Sequence, residues 1–190
     1  MVILQTERLI LRPWRVDDAR DARFLYRYAS DPDVGPHAGW PAHTSVEESA
    51  DVIRDVLSDE QNFAITFRGA WEGKSPDAPI GSIGLKIVPD DPGSREIGYW
   101  IGRPFWGRGL TPEAAGELIR YGFEELGLDA VYGMHDVSNL QSSRVMEKLG
   151  LTELRVMREV PRPLLGDGFR RDEVLRRLTR SQWHKRRFDQ

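Results

Sequence analysis

The stretch that decides the fold is EIGYWIGRPFWGRGLTPE, residues 96–113. Its first part is β-branched and aromatic and reads as a strand. The chain then passes through Trp106-Gly107-Arg108-Gly109-Leu110-Thr111, and a helix opens at once. Thr111 is a good N-cap, Pro112 is preset for the first helical position, and Glu113 complements the helix dipole. Unpaired N–H groups at a helix start, preceded by two glycines, form an anion cradle. Gly107 and Gly109 let the backbone approach a phosphate without Cβ interference. Arg108, and Arg103 beside it, can add charge-assisted contacts.

A Gly-x-Gly turn ahead of a helix has a plainer reading too, a tight strand-to-helix connection. Two other nucleotide-binding patterns are excluded. A P-loop needs Gly-Lys-Ser/Thr, and the dinucleotide fingerprint needs a third glycine and an early βαβ unit. This sequence has neither.

Working outward, residues 6–13 alternate Leu9 and Leu11 with polar partners, as a half-buried strand does. Residues 17–29 place Ala22, Leu25, Tyr26 and Ala29 at helical spacing. Residues 31–43, rich in Pro and Gly and carrying Trp40, read as a loop. Ser45 and Glu48 make a capping box for a helix over 46–57. Strands follow at 62–67, 80–88 and 95–101, joined by turns of Gly, Pro and Asp. The longest helix spans 111–126, with Ala115, Leu118, Ile119, Gly122, Phe123 and Leu126 as its buried stripe. A strand at 130–135, a short helix at 142–148 and strands at 151–158 and 172–177 complete the sheet. This order is α+β, a mixed central β-sheet flanked by helices.

At 190 residues one domain is expected over the whole chain, with a basic tail over residues 178–190. A domain of this size removes roughly 70% of its unfolded surface from water, so it needs no staples. The chain has no cysteine, which excludes disulfides, thiolate metal sites and a cysteine nucleophile; a cytoplasmic address is compatible. His37, His43, His135 and His184 show no metal-ligand spacing, so no metal is expected. The short apolar run at the N-terminus carries Glu7 and Arg8 and reads as a first strand rather than a signal peptide. No run approaches the roughly 20 apolar residues of a membrane span, so no membrane partner is expected. Net charge is −3, yet residues 170–190 hold eight Lys/Arg against three Asp/Glu. A solvated strand and helix explains that excess more simply than nucleic-acid binding, and no direct nucleic-acid contact is expected.

A second segment, NLQSSRVMEKLGL at residues 139–151, follows the strand that ends near His135. Together the two segments resemble the GNAT superfamily of N-acetyltransferases, and within it the RimJ/RimL-like branch that acetylates the N-termini of ribosomal proteins. That family's diphosphate signature, Gln/Arg-x-x-Gly-x-Gly/Ala, falls on residues 106–111. Its second signature, Asn-x-x-Ser, then a short helix and Lys-x-Gly-Phe, falls on Asn139, Ser142, Lys148, Gly150 and Leu151. The opening at residues 6–12, the strand at 96–100 and the late hairpin at 167–174 match the branch as well, so the resemblance covers nearly the whole chain. Three positions depart from it. Trp106 replaces Gln/Arg, Thr111 replaces Gly/Ala, and Met146 stands where several relatives carry a tyrosine used as general acid.

The resemblance implies the GNAT acyl-CoA N-acyltransferase fold and acetyl coenzyme A as donor. It implies that the backbone of Tyr99, Trp100 and Ile101 pairs with the pantetheine arm as an added strand would. Trp106, Gly107, Arg108, Gly109, Leu110 and Thr111 would hold the diphosphate, and Asn139 and Ser142 would bond the arm. Ser142 would otherwise protonate the departing sulfur, and a neighbouring amide would polarise the thioester carbonyl. Glu96 is the first candidate base, against an ordinary surface carboxylate; His135 is the second, against a packed histidine. Tyr26, Trp40 and His43 fall where relatives form the acceptor groove, though Trp40 serves core packing equally well. Met134 and Met146 read as core.

Without cysteine, direct attack by an amine in a ternary complex is expected. An α-amino group with a pKa near 8 is roughly 10–20% neutral at pH 7, whereas a lysine amine is under about 0.1% neutral. The first acceptor reading is therefore a protein or peptide N-terminus. A small amine such as an aminoglycoside or polyamine, and a non-catalytic acyl-coenzyme A sensor, are the alternatives. A monomer and a homodimer are both compatible with the sequence.

Overall fold

A computed structural model describes residues 2–72 and 75–188 and has the α+β organisation read from the sequence. The eight strands make a mixed sheet. The chain divides into two compact units, Met1–Gly84 with Tyr99–Glu117, and Leu85–Gly98 with Leu118–Gln190.

In the first unit, β2 (Leu9–Pro13) pairs antiparallel with β1 (Leu4–Gln5) and with β3 (Asn62–Phe67), which pairs in turn with β4 (Gly81–Ile87). The register Leu9↔Phe67 and Leu11↔Ile65 places four fully buried side chains opposite one another. Helix α1 (Ala19–Ala29) starts at Asp18, whose side chain accepts from the Arg20 amide. Its Ala22, Leu25 and Ala29 form a cluster with Trp14, Ile53 and Ala64, against which Trp40 and Trp100 pack. Arg12 reaches from β2 to grip Asp21 of α1 with two bonds of 2.7 Å each, both partners buried.

Local outcomes differ from the sequence reading in instructive ways. The loop expected at 31–43 contains one turn of helix, α2 (Gly35–Ala38), with Pro36 near its start and Gly39 in the left-handed conformation at its end. Helix α3 (Val46–Val52) passes into a π turn at Ile53–Leu57 rather than continuing as regular helix. Ser45 caps it, accepting from the Glu48 amide at 3.0 Å, but the Glu48 carboxylate reaches one residue further back. It accepts from the amide and hydroxyl of Thr44 at 2.6 and 2.7 Å.

In the second unit, β6 (Ala130–Asp136) runs parallel to β5 (Ser94–Ile101) and antiparallel to β8 (Arg170–Thr179), which pairs with β7 (Thr152–Pro161). Helix α4 (Leu110–Glu124) crosses from the first unit into the second, and α5 (Leu140–Leu149) ends at Gly150 in the left-handed conformation. Met146 of α5 is core: it is 2% exposed, and a Cβ on Gly133 would stand 2.9 Å from its sulfur.

The basic tail forms the end of β8 and α6 (Arg180–Phe188). Arg180 donates to the Leu128 carbonyl at 2.8 Å, Arg186 donates to the Lys148 carbonyl at 3.2 Å, and Trp183 packs on Phe123 with ring centroids 5.3 Å apart. Cations that satisfy carbonyls near helix ends are stabilising. The tail's last residues, Asp189 and Gln190, and the side chains of Arg187 and Phe188, lie outside the described residues. No helix among the described residues is long and apolar enough to cross a membrane.

Candidate active site

Between β5 and α4 the chain makes a short 3-10 turn, Arg103–Phe105, and arrives at Trp106. Both donors of Trp106 are used internally. Its amide bonds the Arg103 carbonyl at 3.1 Å, and its indole N–H bonds the Ile101 carbonyl at 2.8 Å. The candidate cradle therefore narrows to residues 107–111, with Trp106 as its brace.

Gly107 and Gly109 have φ of 73° and 74°, the left-handed region that favours glycine. Helix α4 then starts at Leu110, one residue before the expected position, which corrects the cap assignment. The Gly109 carbonyl accepts from the Glu113 amide at 3.3 Å, as an N-cap carbonyl does, so Thr111 and Pro112 are the second and third helical residues. Proline is harmless there, because first-turn amides have no partner within the helix. Leu110 is 1% exposed, so its side chain anchors the turn from beneath. A Cβ added to Gly107 would meet nothing within 4 Å, and one added to Gly109 only Arg8 Nη2 at 3.7 Å.

The cations expected beside the turn are engaged at the surface. Arg108 pairs with Glu72 at 2.6 Å and Arg103 with Asp33 at 2.7 Å. Such exposed pairs are worth little and exchange partners readily. Glu113, expected simply to complement the dipole, has a fuller part. It accepts from the Thr6 hydroxyl at 2.5 Å, the Arg8 amide at 2.9 Å and Arg8 Nε at 2.6 Å. Burial pushes the Glu113 carboxyl up, but these bonds outweigh it and hold the group below the usual glutamate value.

The parallel ladder of β5 with β6 runs from Ser94↔Ala130 to Ile97↔Gly133. Gly98–Ile101 lie beyond it, with Tyr99 and Trp100 half-buried and Ile101 buried. Glu96, within the ladder, is half-buried. Burial raises its carboxyl above the usual value; Lys86 and Arg162 oppose that, and Glu173 adds to it. A carboxyl with raised affinity for protons is the kind of group that serves as a base near neutrality. Glu173 itself is fully buried and gripped by Arg162 and Arg171.

The other catalytic candidates sit in more settled surroundings. His135 is buried, with Nδ1 2.8 Å from the Asp136 carbonyl and Nε2 accepting from Arg176 Nε at 3.3 Å. Arginine only donates, so in this contact Nε2 turns its lone pair to the guanidinium. Asn139 is the N-cap of α5, its Oδ1 accepting from the Ser142 amide at 3.0 Å. The Asn-x-x-Ser pattern is thus a helix start as well as a candidate for binding the cofactor arm.

Tyr26 lies half-buried on α1. Trp40 and His43 meet, with centroids 5.1 Å apart, and Trp40 stands edge-on to Trp100 at 5.7 Å. His43 is buried, and its Nδ1 lies 2.8 Å from Ser49 Oγ, whose own hydrogen goes to the Ser45 carbonyl. Burial lowers the His43 pKa, with Glu48 pulling the other way. The Trp100 side chain is the member of this aromatic group that sequence reasoning missed, having assigned only its backbone. No group of three or more His, Asp or Glu able to hold a metal occurs among the described residues.

The family described as acetyltransferase (GNAT) domain matches residues 8–152. An uncharacterized N-acetyltransferase, p20, from Bacillus licheniformis is 31% identical over 159 residues, 84% of this chain and 87% of that one. YdaF of Bacillus subtilis, provisionally named a ribosomal N-acetyltransferase, is 31% identical over 146 residues, 76% of this chain and 78% of its own. Among solved structures, a GNAT-family acetyltransferase from Bacillus anthracis superposes with a TM-score of 0.79 at 22% identity, over 95% of this chain and 99% of that one. At that identity the likeness speaks for the fold alone.

Proposed function

Because the chain belongs to the acetyltransferase (GNAT) domain family, an N-acetyltransferase family that uses acetyl coenzyme A, we propose that it acetylates a primary amine, first a protein or peptide N-terminal α-amine. The observation that carries the reading is the open left-handed turn at Gly107 and Gly109 in front of α4. It fits a diphosphate: unpaired first-turn amides face an anion best where no Cβ intervenes.

In this reading the amides of residues 107–111 hold the diphosphate, and the backbone of Tyr99, Trp100 and Ile101 takes the pantetheine arm as an added strand. Asn139 and Ser142 bond the arm. The donor, when bound, supplies the acetyl group as a thioester. Glu96 accepts the proton that the amine sheds, through water, as the N–C bond forms and the C–S bond breaks. Ser142 would give its hydroxyl proton to the sulfur as the C–S bond breaks and take one back from water, since Met146 has none to give and lies in the core. With no cysteine in the chain, transfer is direct.

Two considerations favour an α-amine over a lysine or small-molecule amine. Its neutral fraction at pH 7 is greater by roughly a hundredfold or more than that of lysine, so a modest base suffices. The similarity to YdaF, with its ribosomal name, points the same way. The test is thiol release from acetyl coenzyme A against N-terminal peptides, aminoglycosides and polyamines. Release is expected with the peptides. Preference for a small amine would move the acceptor class, and tight coenzyme A binding without release by any amine would make the chain a sensor.

A further inference from the structure

We propose that Arg8 is the positioning residue of the phosphate cradle, aiming the Gly109 amide by holding the carbonyl of Arg108. This rests on the cradle reading given above. Arg8 stands 100 residues before Arg108 in sequence, yet its Nη1 donates to the Arg108 carbonyl at 3.1 Å. The same guanidinium grips Glu113 in the first turn of α4, with Nε and Nη2 each 2.6 Å from Oε2. Thr6 and the Arg8 amide hold the other carboxylate oxygen at 2.5 and 2.9 Å. The guanidinium also lies 5.8 Å from the centre of the Trp71 ring, which limits its rotation.

Peptide planarity makes this contact consequential. In a trans peptide the C=O of one residue and the N–H of the next point to opposite sides. Drawing the Arg108 carbonyl toward Arg8 therefore turns the Gly109 N–H away from Arg8. Gly109 on one side of that peptide, and Gly107 just beyond Arg108 on the other, would otherwise leave it easy to rotate. Arg8 thus removes a carbonyl dipole from the anion's side and presents a donor in its place. Glu113 fixes the guanidinium and balances its charge, so the effect is one of geometry more than of added positive potential.

The test uses the full chain and coenzyme A. Arg8→Met is expected to raise the coenzyme A Kd, and the KM for acetyl coenzyme A, by about tenfold, the order of one charge-assisted hydrogen bond. The acceptor KM, and kcat at saturating donor, stay within about twofold, a split that general loosening of the fold would not produce. Arg8→Lys keeps the charge but loses the fork, so it recovers little of the loss. An unchanged Kd in folded Arg8→Met, or full recovery in Arg8→Lys, overturns the proposal. If Arg8→Met does not fold, Arg8→Lys decides: weakened binding supports the geometry and parental binding overturns it. Gly109→Trp separates this failure from failure of the cradle. Normal coenzyme A binding in Gly109→Trp removes the cradle, and with it the clamp. Abolished binding there, with parental binding in the Arg8 variants, removes the clamp alone.

Discussion

At the scale of single residues, Glu96 has the sharpest consequences. If it is the base, Glu96→Gln lowers kcat by about a hundredfold or more, the usual yield of general base catalysis, and leaves coenzyme A affinity nearly unchanged. An unaltered rate would clear Glu96 of the role. The acid limb of kcat/KM against pH should also lie above the ordinary glutamate value, since burial and Glu173 outweigh Lys86 and Arg162. The sign for stability follows from linkage. A carboxyl that binds its proton more tightly when folded favours folding in acid, and that contribution is lost as pH rises through the raised value. Glu96→Gln should therefore melt higher than the parent at neutral pH, and the advantage should vanish below the normal carboxylate range; calorimetry at the two pH values checks it. The turn at Gly107 and Gly109 was legible in the sequence because residue type and local spacing mark it, whereas the burial that raises the Glu96 carboxyl was not. Arg8 and Glu113 were not legible as partners, because a contact across 105 residues leaves no periodic trace. The same is true of Arg176, which reaches His135 from 41 residues away and turns a candidate base into a well-bonded ring.

At the scale of elements, the strand–turn–helix unit shows what local rules decide. Thr111-Pro112 is a strong helix-start signal, yet the Gly109 carbonyl takes the first helical bond, from the Glu113 amide at 3.3 Å, and the helix begins at Leu110. Gly107→Ala meets no steric obstacle but must hold a φ that L residues resist at a cost of about 1 kcal/mol or more. Weaker coenzyme A binding and a slightly lower Tm are expected, and titration calorimetry with thermal melts measures both. Strand β3 has the bounds read from the sequence, Asn62–Phe67, because Phe, Ile and Thr favour extended backbone there. The single turn of α2 was illegible, since Gly-Pro-His-Ala carries no apolar period. On α5 the close approach of Met146 to Gly133 makes another prediction. Gly133→Ala should destabilise by about 1–3 kcal/mol through overpacking, and adding Met146→Ala should not restore it fully, because the second change opens a cavity. Denaturant titrations of the single and double variants test this.

At the scale of the whole molecule, the α+β class and the mixed sheet could be read from the order of motifs, while the division into two compact units could not. Composition gave no hint of the buried ion pairs either, because pairing depends on which strands the topology makes neighbours. Arg12 and Asp21 bond each other in the core, and removing one leaves a charge without its partner. Arg12→Leu should therefore cost about 3–5 kcal/mol and lower Tm sharply, a change that thermal melts will show. The basic C-terminal segment had invited a reading in terms of partners, yet Arg180 and Arg186 each donate to a carbonyl of the chain, and Trp183 packs at a tilt on Phe123. That arrangement makes α6 a latch on a short lever. Cutting any one of these three fastenings should loosen α6 as a unit, read as amide hydrogens along the helix that exchange with solvent together while the rest of the fold stays closed.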